Sequence, residues 1–219
     1  MDERKTLVIA TRNKGKSSEI RQMLSGYPVE IKDLNDFGPI PEVEEDGETF
    51  DENAYKKASF AARVLGLPAL ADDSGLCVNA LGGQPGVHSA RFAGKDATDE
   101  QKCAKLLEML KNAEDRSAAF VCVISIAVPT GAALTYEGRS EGVIAQAPEG
   151  KNGFGYDPVF YYPDFEKTFA QLTAEEKNRV SHRGRALCEL KEEFEKVLKW
   201  IDLQMPVQEK FSCSSYTGS

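Results

Sequence analysis

Across residues 118–128, Phe120, Cys122, Ile124, Ile126 and Val128 fall on one side of an extended chain, with Val121, Val123 and Ala127 on the other. A strand apolar on both faces must be covered twice, which places it in the middle of a sheet. Pro129-Thr130-Gly131 turns it back into residues 133–136 as an antiparallel hairpin. Near the start, Thr6-Leu7-Val8-Ile9-Ala10 is a second continuous apolar run and leads into Ile20, Met23 and Leu24 at helical spacing. A further short strand is expected at residues 29–31. A hairpin combined with strand–helix alternation predicts an α/β fold on a mixed sheet. At 219 residues the chain fits one domain, and no repeat or linker divides it.

Leu67-Pro68-Ala69-Leu70-Ala71-Asp72-Asp73-Ser74-Gly75-Leu76 reads as a buried strand over residues 69–71 that ends by delivering two carboxylates into a cleft. Adjacent aspartates beside a core are costly unless something neutralises them. A hard cation such as Mg²⁺ would do so and keep coordination sites for a phosphate; a solvated turn is the competing reading. The strand at residues 6–10 runs straight into Thr11-Arg12-Asn13-Lys14-Gly15-Lys16 and then a helix. A helix N-terminus presents free N–H groups and a positive dipole, so this turn is a phosphate cradle or a solvated basic turn. It is not a Walker A loop, because Ala10 stands where that motif needs glycine.

Five acids crowd Glu42-Val43-Glu44-Glu45-Asp46-Gly47-Glu48, and Thr49 to Glu52 has capping-box spacing for the helix behind them. Ala54, Ala58, Ala61 and Leu65 give that helix a narrow packing face, and Lys56 and Lys57 lie one turn inside; spacing does not decide which faces a substrate. The Gly- and Pro-rich residues 82–92 form an ordered loop containing His88, and Thr98 to Gln101 caps a helix with Cys103, Leu107 and Leu110 on one face. Gly153-Phe154-Gly155-Tyr156-Asp157-Pro158 joins close-approach glycines to two aromatics, which either stack on a base or plug the core. Ser181 caps a long helix with Leu187, Leu190, Phe194, Val197, Leu198 and Ile201 inward. His182 and Arg183 then sit at its positive end, a conflict that an anion or electron-rich ligand would relieve.

A net charge of −8 argues against broad nucleic-acid or anionic-membrane binding. No apolar stretch reaches membrane-spanning length, and Met1-Asp2-Glu3-Arg4-Lys5 is unlike a secretory leader. Cysteines 77, 103, 122, 188 and 213 are scattered without a CxxC pair. The first four lie on apolar runs, so they read as small core residues in a reducing cytoplasm.

The segments 10–16, 44–50, 52–54, 71–76, 81–86, 153–158, 176–178 and 181–183 stand in an order that resembles the inosine/xanthosine triphosphate pyrophosphatase family, over roughly residues 6–201. The resemblance implies an elongated mixed sheet with helical lobes on both sides of a deep nucleotide cleft. It implies hydrolysis of ITP, dITP and XTP to the monophosphate and pyrophosphate with Mg²⁺, by a cytoplasmic homodimer. Residues 1–203 are expected to form one nucleoside-triphosphate pyrophosphatase domain, and residues 204–219, which lack periodicity and a counterpart in the family, a flexible tail. By position, Thr11, Arg12, Asn13, Lys14, Gly15, Lys16 and Lys57 would hold the triphosphate. Glu44 and Asp73 would position the metal, with Asp73 as general base. Ser74, Phe154, Gly155, Tyr156, Asp157, Lys177, His182 and Arg183 would line the nucleotide site. Arg12 departs from the family's commoner glycine.

Overall fold

The computed structural model describes residues 5–205. The expected tail falls almost wholly outside them, and Gln204 still belongs to the last helix. Seven strands form one sheet in the order β2-β1-β3-β4-β5-β6-β7. β1 (Lys5–Ile9) runs parallel to β2 (Val29–Asp33) and to β3 (Ala69–Val78). β3, β4 (Ser117–Ala127), β5 (Ala133–Ile144), β6 (Phe160–Tyr162) and β7 (Lys167–Thr168) are successively antiparallel. The sheet is therefore mixed, with the doubly apolar strand at its centre as β4.

The helices begin where side-chain caps satisfy their first free N–H groups. Asn13 caps α1 (Lys14–Met23) by accepting from Gly15 and Lys16. Capping boxes start α2 (Phe50–Leu65), α3 (Asp99–Met109) and α4 (Ala174–Val180), at Thr49/Glu52, Thr98/Gln101 and Thr173/Glu176. Ser181 caps α5 (His182–Gln204). On one face of the sheet Leu7, Leu70, Cys122, Ile124 and Ile126 pack against Ile20 and Leu24 of α1 and Leu187, Leu190 and Phe194 of α5. On the other, Val8, Ala69 and Ala71 meet Ala58, Ala61 and Ala62 of α2, whose small side chains allow a close approach. A separate core joins Leu76 and Phe120 to Cys103 and Leu106 of α3 and to Phe160 and Phe169. That division produces two lobes.

The cleft between the lobes opens because β1 stops at Ile9 while β3 continues. Their pairing ends at Ile9↔Leu70, whereas β3 pairs with β4 all the way to Val78. Asp72 and Asp73 thus lie inside a strand rather than beyond its end. The strand carries them because each finds cations, and because successive side chains point to opposite faces. Cys188 corrects a second expectation: it is exposed on α5, and Cys77 is half-buried, while Cys103 and Cys122 are core residues.

Candidate active site

Two hollows share Asn13, Lys16, Ser74 and Ala90 in their walls and so form one trough across the end of β1. The first is lined by Phe154, Gly155, Tyr156, Asp157, Lys177, His182 and Arg183. The second is lined by Thr11, Arg12, Lys57, Asp72 and Asp73, with the acidic passage as its rim. Segments far apart in sequence therefore meet as two adjoining subsites.

Asp72 faces α5. Its Oδ2 accepts from Arg183 Nη2 at 2.9 Å and Nε at 3.3 Å and from Ser74 Oγ at 2.6 Å, and Lys16 Nζ lies at 3.1 Å. Burial alone would push this carboxyl up, but Lys16, Arg183 and Lys57 together hold it well below the ordinary carboxylate range. Asp73 faces α2, where Lys57 Nζ donates to its Oδ1 at 2.7 Å and also lies 3.3 Å from Glu45. Burial dominates here and raises the Asp73 carboxyl despite Lys57 and Lys16. Its Oδ2 is buried without a partner. The neighbouring carboxyls are thus pushed in opposite directions: Asp72 is fixed in a network of three cationic or hydroxyl donors, and Asp73 keeps one oxygen unpaired.

Glu19 of α1 pairs with two cations of the first hollow, Lys177 and Arg183, and sequence reasoning missed it. It accepts from Lys177 Nζ at 3.2 Å and pairs with Arg183 Nη1. Its one signal is a three-residue spacing from Lys16, which puts both on one helix face. With Asp72, Glu19 also resolves the conflict at the start of α5: Arg183, 3 % exposed, is neutralised by carboxylates of the protein itself. Lys177 Nζ donates to Asp157 Oδ2 at 2.6 Å. The Phe154 ring lies 4.7 Å from that ammonium and 5.6 Å from the Arg183 guanidinium carbon, within cation–π range of both.

His182 avoids the same conflict by staying neutral. Its ring is buried and stacks on Phe120, with centroids 4.6 Å apart. Burial first, then Arg183 and Lys177, holds it well below the usual histidine range. Imidazole ¹⁵N shifts should therefore remain those of a neutral ring at pH ~5.5, where an ordinary histidine is mostly protonated. A protonated spectrum there would mean that the ring is hydrated or paired with a carboxylate.

Several expected residues lie elsewhere. Lys14 projects from the opposite side of α1, beside Ser17, Arg21 and Asp33. The Arg12 side chain lies in the wall of the trough but spends its donors on the carbonyls of Leu34 and Ile40, at 3.2 and 3.3 Å. Glu44 is exposed and outside the lining, whereas Val43 and Glu45 on either side line it. Composition could not say which member of an acidic pair turns inward. Tyr156 is a core residue whose hydroxyl donates to Ser89 O at 2.9 Å, so of the two aromatics Phe154 presents its ring to the site's cations. His88 sits outside both hollows, with its Nδ1 3.1 Å from Arg91.

The Ham1 family model matches residues 7–193. This chain belongs to the Ham1 family. It is 65 % identical to a protein of Syntrophobacter fumaroxidans named dITP/XTP pyrophosphatase, over 91 % of this chain and 86 % of that protein. It is 57 % identical to one of the same name from Desulfotalea psychrophila, over 91 % and 89 %. The solved structure of a HAM1 protein from Coxiella burnetii superposes with a TM-score of 0.82 at 45 % identity, covering 88 % of this chain and 99 % of that one. The mixed sheet of the Ham1 family is thus the fold of this chain. Among the described residues no helix is long and apolar enough to cross a membrane.

Proposed function

We propose that this protein hydrolyses aberrant purine nucleoside triphosphates, namely ITP, dITP and XTP, to the monophosphate and pyrophosphate. The observation that carries the reading is the adjacency of the two hollows. A cation-lined one, at the capped N-terminus of α1, suits phosphates. It adjoins one whose lining places an aromatic ring against two buried cations, a surface suited to a flat base. Lys16, the α1 N-terminus and Lys57 take the triphosphate. Asp73 accepts the proton of the attacking water, and Lys57 holds the carboxylate in place.

Mg²⁺ fits the carboxylate donor set. Asp73 Oδ2 is an orphaned buried oxygen, and Glu45 stands across Lys57 from it. Among the described residues no three His, Cys, Asp or Glu side chains form a complete cage. Mg²⁺ ordinarily needs only one or two carboxylates when substrate phosphates supply other ligands. Asp73 with Glu45, rather than the exposed Glu44, would hold it. When bound, the ion neutralises phosphate charge and polarises the phosphoryl oxygen.

The choice of base follows from donors. Arg183 and Lys177 can only donate, so beside their own carboxylate partners they present a donor face that matches a 6-oxo purine and mismatches adenine's amino group. The penalty for that mismatch can be large in a buried site. Pyrophosphate release should be strong from ITP and XTP, weak from ATP, and lost in EDTA. Equal release from ITP, GTP and ATP would overturn the account of base selection, and release only from dUTP or dTTP would overturn the purine reading.

A further inference from the structure

Two consecutive amides of the loop 153–157 donate to carboxylates from different elements. Phe154 N–H donates to Asp157 Oδ2 at 2.9 Å, within the loop. Gly155 N–H donates to Asp99 Oδ2 at 2.6 Å, across to the first turn of α3. Asp99 is not required as that helix's cap. Thr98 Oγ1 accepts from Gln101 N at 3.3 Å, and Gln101 Oε1 accepts from Thr98 N at 2.9 Å. Asp99 Oδ1 is taken by Lys102 at 2.6 Å, which leaves Oδ2 for the loop.

One turn further on, the buried Cys103 thiol donates to the Gly155 carbonyl at 3.4 Å. Residues at i and i+4 share a helix face, so α3 grips Gly155 at both its N–H and its C=O. The glycine itself answers to conformation, not crowding: its φ is +65°, and a Cβ there would meet nothing within 4 Å. Gly153, at φ +77°, is also left-handed, and a Cβ there would strike the Asp157 carboxyl. The backbone path, and with it the placement of the Phe154 ring, thus depends on where these amides are tied.

We propose that Asp99 is a positioning residue for the base end of the site: its carboxylate fixes the Phe154–Gly155 peptide, and through it the ring that lies against Lys177 and Arg183. This rests on reading the first hollow as the purine subsite. A charge-assisted bond is the stronger kind. Although burial opposes it, Lys102 and the Gly155 amide hold the Asp99 carboxyl below its ordinary range, so it stays an acceptor at neutral pH.

The test compares Asp99→Ala and Asp99→Asn by hydrogen exchange of residues 153–157 in the free protein and by kcat and KM for ITP. In Asp99→Ala, exchange in that segment should rise at least tenfold while β4 keeps its protection. KM should rise about tenfold with kcat within about twofold, as expected for losing one hydrogen bond to a charged group. Asp99→Asn keeps an acceptor of the same shape and should recover most of both effects. Unchanged exchange in Asp99→Ala would overturn the proposal whatever the kinetics, as would equal losses in both variants accompanied by lowered melting temperatures. Raised exchange in the alanine variant, with no ITP turnover by the wild type, would overturn the purine reading alone and leave the grip of α3 on Gly155 standing.

Discussion

Asp73→Asn should lower pyrophosphate release from ITP by about 10²–10⁴-fold, the range typical of removing a general base, and should leave the protein folded. The two halves of this expectation have one cause. Burial raises the Asp73 carboxyl, so its ionised form is held at a cost in the folded protein at neutral pH. An amide of the same shape removes that cost, which offsets the loss of the Asp73 charge beside Lys57, and Lys57 retains Glu45 as its partner. The fold is therefore kept while the proton acceptor is lost. Steady-state turnover and thermal unfolding on the same preparation check both halves. A residual rate within about tenfold of the wild type would assign the proton to another group, because the lower end of general-base effects lies near 10².

The sequence made the scaffold readable because the relevant signals were local. β4 was visible as a strand apolar on both faces, and the starts of α2, α3 and α5 were visible from Thr49, Thr98 and Ser181. Caps act through backbone groups two or three residues away, so spacing alone reveals them. The end of β3 was not legible. Stopping the strand at Ala71 assumed that two aspartates cannot continue inside a sheet, and their partners come from α1, α2 and α5. Glu19 and Asp99 were missed for the same reason. Each looks like an ordinary helical surface acid until the fold brings Arg183 or Gly155 to it. Glu44 and Glu45 show the converse limit: the acidic passage was found, but the rotation of one residue that decides which carboxylate enters the trough is set by tertiary contacts.

The second large effect falls on Asp72, next along the strand, and it is an effect on folding. Asp72→Asn should destabilise the protein by about 3–5 kcal/mol, the usual range when one partner of a buried ion pair is removed. Asp72 is 3 % exposed, and its Oδ2 collects Arg183, Lys16 and Ser74. An asparagine of the same size would leave Arg183 to Glu19 alone and Lys16 without this neighbouring carboxylate. The pH dependence gives an independent check. The folded Asp72 carboxyl lies well below its unfolded value, so its contribution is present above the ordinary carboxylate range and lost as pH falls through the lower, folded value. Wild-type stability in urea should accordingly decline at acid pH with a component that Asp72→Asn lacks. If the variant instead unfolded at wild-type urea concentrations but turned over ITP as poorly as Asp73→Asn, Asp72 would belong to the chemistry. The difference between these neighbours comes from strand alternation. One carboxylate is turned toward the cations that join α1 to α5, and the next toward Lys57 at the phosphate end.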